Sequence, residues 1–238
     1  MKLFKTTILC AAVAFLMTGC GVYNPTTVHI SLIHERGEVQ VEGAVLPTGN
    51  KNVPVDIRAS AAWGITNHLA VQGSVDPFRN YSQAMAGCFF PLEKNFVWEL
   101  YGGIGFGRGQ ASNFGGVEPW TVPSGTYRQI FLQADAGWLE MTHKGHLDLA
   151  FSFKTGLLSG EIKKGRAYIA ENSETKIDYT YTQAQNILLE PTAELRFGWE
   201  RFKFNIKAGF TFLVPVEPVG YTINYFPISL GAGMSYRF

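Results

Sequence analysis

Nowhere does this 238-residue chain hold an apolar run of the ~20 residues that a membrane-spanning helix needs. The longest candidate, Ile8 to Met17, is too short. That excludes a helical membrane protein. It leaves a barrel open, because barrel strands cross with only about 9–11 residues each. Charge of one sign is lacking too. With 20 Lys and Arg against 19 Asp and Glu, the net charge is +1, and no nucleic-acid partner is expected. Cysteine is scarce, at three residues. Cys10 falls in the apolar leader, Cys20 just beyond it, and Cys88 stands alone in an alternating stretch, so no disulfide is expected. The glycine run Gly102 to Gly107 lies inside another such stretch rather than at a strand-to-helix turn. It is therefore no nucleotide loop. His143 and His146 have an H-x-x-H spacing with Glu140 and Asp148 nearby, but it runs across a turn, where solvated histidines are the expected reading over a metal site; no cofactor or metal is expected.

The amino terminus carries Lys2 and Lys5, then the apolar stretch, then Gly19-Cys20, which is the layout of a secretory signal over residues 1–19. The run Leu16-Met17-Thr18-Gly19-Cys20 resembles a bacterial lipobox, although Met17 replaces the usual leucine. The resemblance implies cleavage before Cys20 and a lipid on that residue. Residues 20–37 are then expected as a periplasmic tether able to cover a barrel mouth.

Period-2 alternation recurs through the rest of the chain. It predicts strands near 38–46, 54–65, 68–76, 81–91, 95–107, 127–140, 146–158, 186–199, 202–214 and 228–238. The connections alternate in length. Tight turns at 65–68, 91–95, 142–145 and 199–201 alternate with longer segments at 47–53, 77–80, 108–126, 159–185 and 215–227. Outer-membrane barrels share this asymmetry, with short periplasmic turns and longer outside loops. The expected fold is all-β, an antiparallel up-and-down transmembrane β-barrel of about ten strands over residues 38–238.

Two patterns assign the faces. Gly64, Gly103, Gly105, Gly107, Gly137, Gly156, Gly198, Gly209, Gly231 and Gly233 share the parity of the polar positions, and small residues belong inside a narrow barrel. Trp63, Trp98, Trp138 and Trp199 share the apolar parity, each close to a short turn. Four indoles at one height on the outer face form an interfacial belt.

The closing stretch Leu230 to Phe238 is apolar on one face and small or polar on the other. Gly233, Tyr236 and Phe238 resemble the carboxy-terminal signal that barrel-assembly machinery reads in bacterial outer-membrane proteins. The whole mature chain resembles a small Gram-negative outer-membrane barrel with a lipoprotein-type signal. Gly37-Glu38 and the turn Ile65-Thr66-Asn67-His68-Leu69-Ala70-Val71 add to that likeness. It implies outer-membrane location, outer-membrane lipid as partner, and a monomer.

The inward charges are expected to be Glu42, Asp56, Arg58, Glu99, Asp135, Asp148, Lys154, Glu190, Glu194, Arg196, Lys203, Lys207 and Arg237. So close together, they must pair or stay hydrated. They form either a plug of salt bridges or a narrow polar pore. Barrel enzymes resemble one another in carrying rim residues that often include histidine. Here His29 and His34 precede the first strand, while His68, His143 and His146 fall at short turns. No base is legible beside Ser112, Ser159 or Ser173, and no catalytic residue is assigned. Alternation continues from Lys176 to Trp199, and strand seven can extend through Tyr168. The pair predicts a hairpin above the membrane that turns near Glu171 to Glu174. The expected role is non-enzymatic: envelope structure, or binding of a surface ligand through the loops. A narrow solute channel and an outer-leaflet enzyme are the rivals.

Overall fold

The computed structural model describes residues 23, 28–50, 53–92, 95–110, 124–142, 147–169, 175–216, 223, 225 and 227–238. Apart from one 3-10 turn, Pro77–Arg79, its regular elements are strands. These are β1 (Val39–Asn50), β2 (Val53–Gly64), β3 (Leu69–Asp76), β4 (Tyr81–Leu92), β5 (Phe96–Gln110), β6 (Ser124–Trp138), β7 (Leu147–Ile169), β8 (Thr175–Gly198), β9 (Phe202–Phe210), β10 (Phe212–Pro215) and β11 (Ile228–Arg237). β9 and β10 are one wall strand interrupted at Thr211, so the wall has ten strands. Each pairs antiparallel with its neighbours, and β11 returns to β1, with Gln40 opposite Arg237 and Val45 opposite Ala232. Closure leaves neither end of the sheet as an open edge, the condition for strands to sit in lipid.

The expected strands are all present, and several run further. β5 and β6 extend into the expected 108–126 loop, and β7 and β8 take up most of 159–185. β6 reaches Lys163 on one side of the β7–β8 pair (Ser124 opposite Lys163). β10 reaches Asn186 on the other. Above those levels β7 and β8 pair with each other as far as Ile169 opposite Thr175. The hairpin therefore stands above the wall. Its tip, 170–174, lies outside the described residues.

The faces follow the alternation. Ile57, Phe106, Ile130, Leu132, Phe153 and Ile206 point outward and are exposed, while the alternate positions are buried. An apolar wall around a charged lumen is the outer-membrane barrel architecture, and the outer membrane is where this chain resides. Trp63, Trp98, Trp138 and Trp199 are all outward and exposed. The inner glycines make room. A Cβ on Gly107 would run into the Tyr127 ring, and one on Gly103 would lie 2.6 Å from Phe131.

One expectation needs correction. Residues 20–37 are expected as a periplasmic tether able to cover the barrel mouth. The structure instead runs residues 28–33 through the lumen, with Ile30, Ser31, Leu32 and Ile33 completely buried. The reason is a mutual need for partners. An extended backbone without strand neighbours has N–H and C=O groups to satisfy, and the inward charges are placed to satisfy them.

Candidate functional site in the lumen

The inner segment enters beside the β2–β3 turn. Gly37 N–H donates to Gly64 O at 2.7 Å, and Gly64 N–H donates to Glu38 O at 2.9 Å. Gly64 and Gly137 lack side chains where the segment passes. A Cβ there would meet Ile33 at 2.9 Å or Leu32 at 2.7 Å. Beside this entrance Arg237 Nε lies 2.7 Å from Glu38 Oε1, and His34 Nδ1 lies 2.8 Å from Glu38 Oε2. Burial alone would push the Glu38 carboxyl up. The hydrogen bond with His34 and the charge of Arg237 outweigh it and hold that group below the usual carboxylate range.

Glu99, on β5, clasps the turn that follows. Its carboxylate accepts the N–H groups of Leu32 at 3.0 Å and Ile33 at 2.8 Å, the Ser31 hydroxyl at 2.9 Å and the Tyr101 hydroxyl at 2.9 Å. Leu32 has φ +52°, the left-handed conformation that lets consecutive N–H groups converge on one anion. The carbonyls are met by cations and amides from other strands. Arg196 donates to Ile30 O and to Ser31 O, Gln133 Nε2 donates to His29 O at 2.9 Å, and Lys207 Nζ donates to Val28 O at 3.4 Å.

The same charges brace one another. Lys207 Nζ lies 2.6 Å from Glu42 and 3.4 Å from Glu194, and Arg196 Nε lies 2.8 Å from Glu194. Lys203 pairs with Asp148, and Lys154 lies 3.4 Å from Glu190. Arg58 lies 4.0 Å from Asp76. Asp135 accepts from Gln133 Nε2 at 2.8 Å, and Asp56 accepts the N–H of Ile57 at 2.9 Å. Of the charges expected inside, Glu99, Arg196 and Lys207 bond the backbone of the inner segment, and Glu42 and Glu190 meet its side chains. Glu194 and Lys154 pair with members of that set, while Lys203 and Asp148 pair with each other.

At the far end Tyr23 is buried. Its hydroxyl donates to Glu190 Oε1 at 2.8 Å, and Thr211 donates to the same oxygen at 3.1 Å. Its ring packs edge-on against Tyr127 at 5.1 Å between centroids, in a cluster with Tyr81, Leu158, Leu188 and Ile223. Two further apolar clusters fill the lumen below, one including Ile33 and one including Ile30 and Leu32. Ion pairs and packed side chains share the lumen with the inner segment, a component the alternation did not reveal.

His29 also enters the lumen. Its Nδ1 lies 3.1 Å from Ser60 Oγ and 3.3 Å from Glu42 Oε2. Serine, histidine and a carboxylate thus meet, yet both partners face one ring nitrogen. A hydrolytic triad needs the hydroxyl on one nitrogen and the acid on the other. All three residues are buried, His29 within the inner segment and Ser60 and Glu42 on the wall beside it. Ser159 is outward and half-buried. Ser112, Ser173, His143, His146 and Cys20 lie outside the described residues. Cys88 is a free, half-buried cysteine.

Sequence reasoning missed Tyr23, His29, Ser31, Leu32 and Ile33 as site residues. A signal was present in the apolar–polar alternation of Val28 to Ser31, which matches a short strand. Nothing local says that it pairs with side chains rather than with a sheet.

No protein-family model matches the chain, and no curated protein matches it. Among solved structures it is similar to the N-terminal β-barrel domain of Pseudomonas aeruginosa OprF. That match has a TM-score of 0.35 and 12% identity over 85% of this chain and 98% of that one. It is also similar to Ail, the attachment invasion locus protein of Yersinia pestis, with a TM-score of 0.29 and 11% identity over 85% and 99%. Likeness at this level carries nothing about function. The barrel rests on this chain's own strand pairing.

Proposed function

We propose that this barrel is a closed, non-enzymatic component of the outer membrane that works through its outer loops, above all the β7–β8 hairpin, as a surface-binding element. The supporting observation is the occupied lumen. With residues 28–33 clasped inside, the surface left for contact is the part that rises above the wall. There Tyr179 and Tyr181 are exposed on one face of the hairpin, with Lys163 Nζ 3.7 Å over the Tyr179 ring. An aromatic pair with a cation above it offers a ligand both stacking and charge. In this reading the four outward tryptophans sit at the headgroup level, Cys20 carries lipid, and the chain acts as a monomer.

The deciding experiment is electrical. Purified protein in planar bilayers should show no conductance steps, whereas a variant lacking residues 21–36 should conduct or fail to insert. Steady ohmic conductance by the intact protein would replace this reading with the narrow channel.

A further inference from the structure

The inner segment does not merely fill the lumen; it crosses it. Its contacts climb β6 in order: Leu32 against Gly137, His29 O against Gln133, and the Tyr23 ring against Tyr127. They climb β8 in the same sense, from Arg196 at Ile30 and Ser31 to Glu190 at Tyr23. Gly137 lies beside the short β6–β7 connection, and Tyr127 beside the long one between β5 and β6. Their separation of ten positions corresponds to a height of roughly 23 Å in a strand tilted near 45°. At the top Tyr23 bridges to Tyr225 and packs on Ile223, both in the long connection before β11.

Covalent geometry then limits where the preceding residues lie. Cys20 is three residues from Tyr23, and three residues reach at most about 11 Å. That is too short to return down a lumen already filled by the segment itself. We propose that the barrel delivers its own amino terminus through its lumen, so that Cys20 is presented at the long-loop mouth, on the opposite side of the membrane from the start of β1. A lipid carried by Cys20 then enters the leaflet that the long loops face. The inward charges acquire a purpose beyond closure: they hold the anchored end on the far side. Because acylated Cys20 cannot pass a packed lumen, the wall must close around the segment during assembly.

The test compares single cysteines in a Cys88→Ser background, each variant first shown to be heat-modifiable. Val22→Cys reports the amino terminus, Asp178→Cys the hairpin and Glu35→Cys the short-turn mouth. Labelling uses a membrane-impermeant maleimide, before and after permeabilising the outer membrane and relative to the Cys88→Ser parent. Val22→Cys should label under the same condition as Asp178→Cys, and Glu35→Cys under the other. This comparison holds whichever way the barrel faces, and it is independent of conductance. Val22→Cys labelling with Glu35→Cys overturns the proposal, as does no labelling at position 22 when Asp178→Cys labels. If Val22→Cys does not assemble, Gly21→Cys is read in the same way.

Discussion

Glu99 accepts the backbone N–H of Leu32 at 3.0 Å, tying β5 to a residue 67 positions earlier in the chain. The contact joins a buried carboxylate to a buried donor, and each supplies what the other lacks. A carboxylate away from water needs donors, and an extended segment without strand neighbours needs acceptors. Leu32 adopts a left-handed conformation to make the contact, at an expected cost of about 1–3 kcal/mol that four converging donors offset.

Replacing Glu99 with Ala should loosen the inner segment. Two buried N–H groups lose their acceptor, at about 1–3 kcal/mol each. Purified Glu99→Ala should lose its heat-modifiable form at a lower temperature and pass transient current in planar bilayers. Glu99→Gln keeps one acceptor oxygen and should be affected less. Wild-type behaviour of Glu99→Ala in both measurements would mean that the clasp lies elsewhere.

Glycine positions should divide by face. At Gly137 an added Cβ meets Leu149 O at 2.7 Å as well as Leu32, so neither wall nor segment can easily move aside. Gly137→Val should sharply reduce the yield of inserted barrel. At Gly43, on the outer face, nothing lies within 4 Å, and Gly43→Ala should insert like wild type. Membrane-fraction yield with heat modifiability reads both.

Acid should weaken the entrance of the segment. Glu38 is held below the usual carboxylate range by His34 and Arg237, against the effect of its burial. A depressed carboxyl stabilises the fold above its unfolded-state value, and that contribution is lost as pH falls through the folded one. Wild type should therefore be more heat-resistant than Glu38→Gln at neutral pH, and the gap should close below the usual carboxylate range. A gap that persists in strong acid would assign the effect to packing instead.

Removing Phe238 should impair assembly more than removing one residue from the 170–174 tip. Phe238 N–H donates to Val39 O at 2.9 Å, and its ring packs on Tyr236 at 4.7 Å between centroids. The deletion opens the β1–β11 seam at one end, and unsatisfied backbone groups are costly in lipid. Equal yields of inserted protein from the two deletions would show that the terminal aromatic is dispensable.

Protease added to intact cells should cut at Lys163-Lys164 or Arg166, or leave the protein whole if the hairpin resists. It should spare Lys144 in the short connection after β6. Cleavage at Lys144 with the outer membrane intact would invert the topology and place the four tryptophans at the opposite interface.

The sequence by itself determined the wall. Residue parity is a local property, and a strand exposes it directly. Alternation therefore placed Ile130 outside and Gln129 inside, and the glycine and tryptophan parities said which face met lipid. Connection length, equally local, showed which end of the barrel carries the β7–β8 hairpin. What lies within the wall was not legible. Glu99 and Leu32, or Arg196 and Ile30, meet because ten strands curve until distant stretches enclose one space. The inward charges were visible as charges that had to find partners. That the partner is the backbone of the chain's own amino-terminal segment, rather than water or each other alone, was decided only by closure. A closed, narrow lumen brings polar side chains from many strands around one stretch of backbone, and the N–H and C=O groups of that stretch meet them.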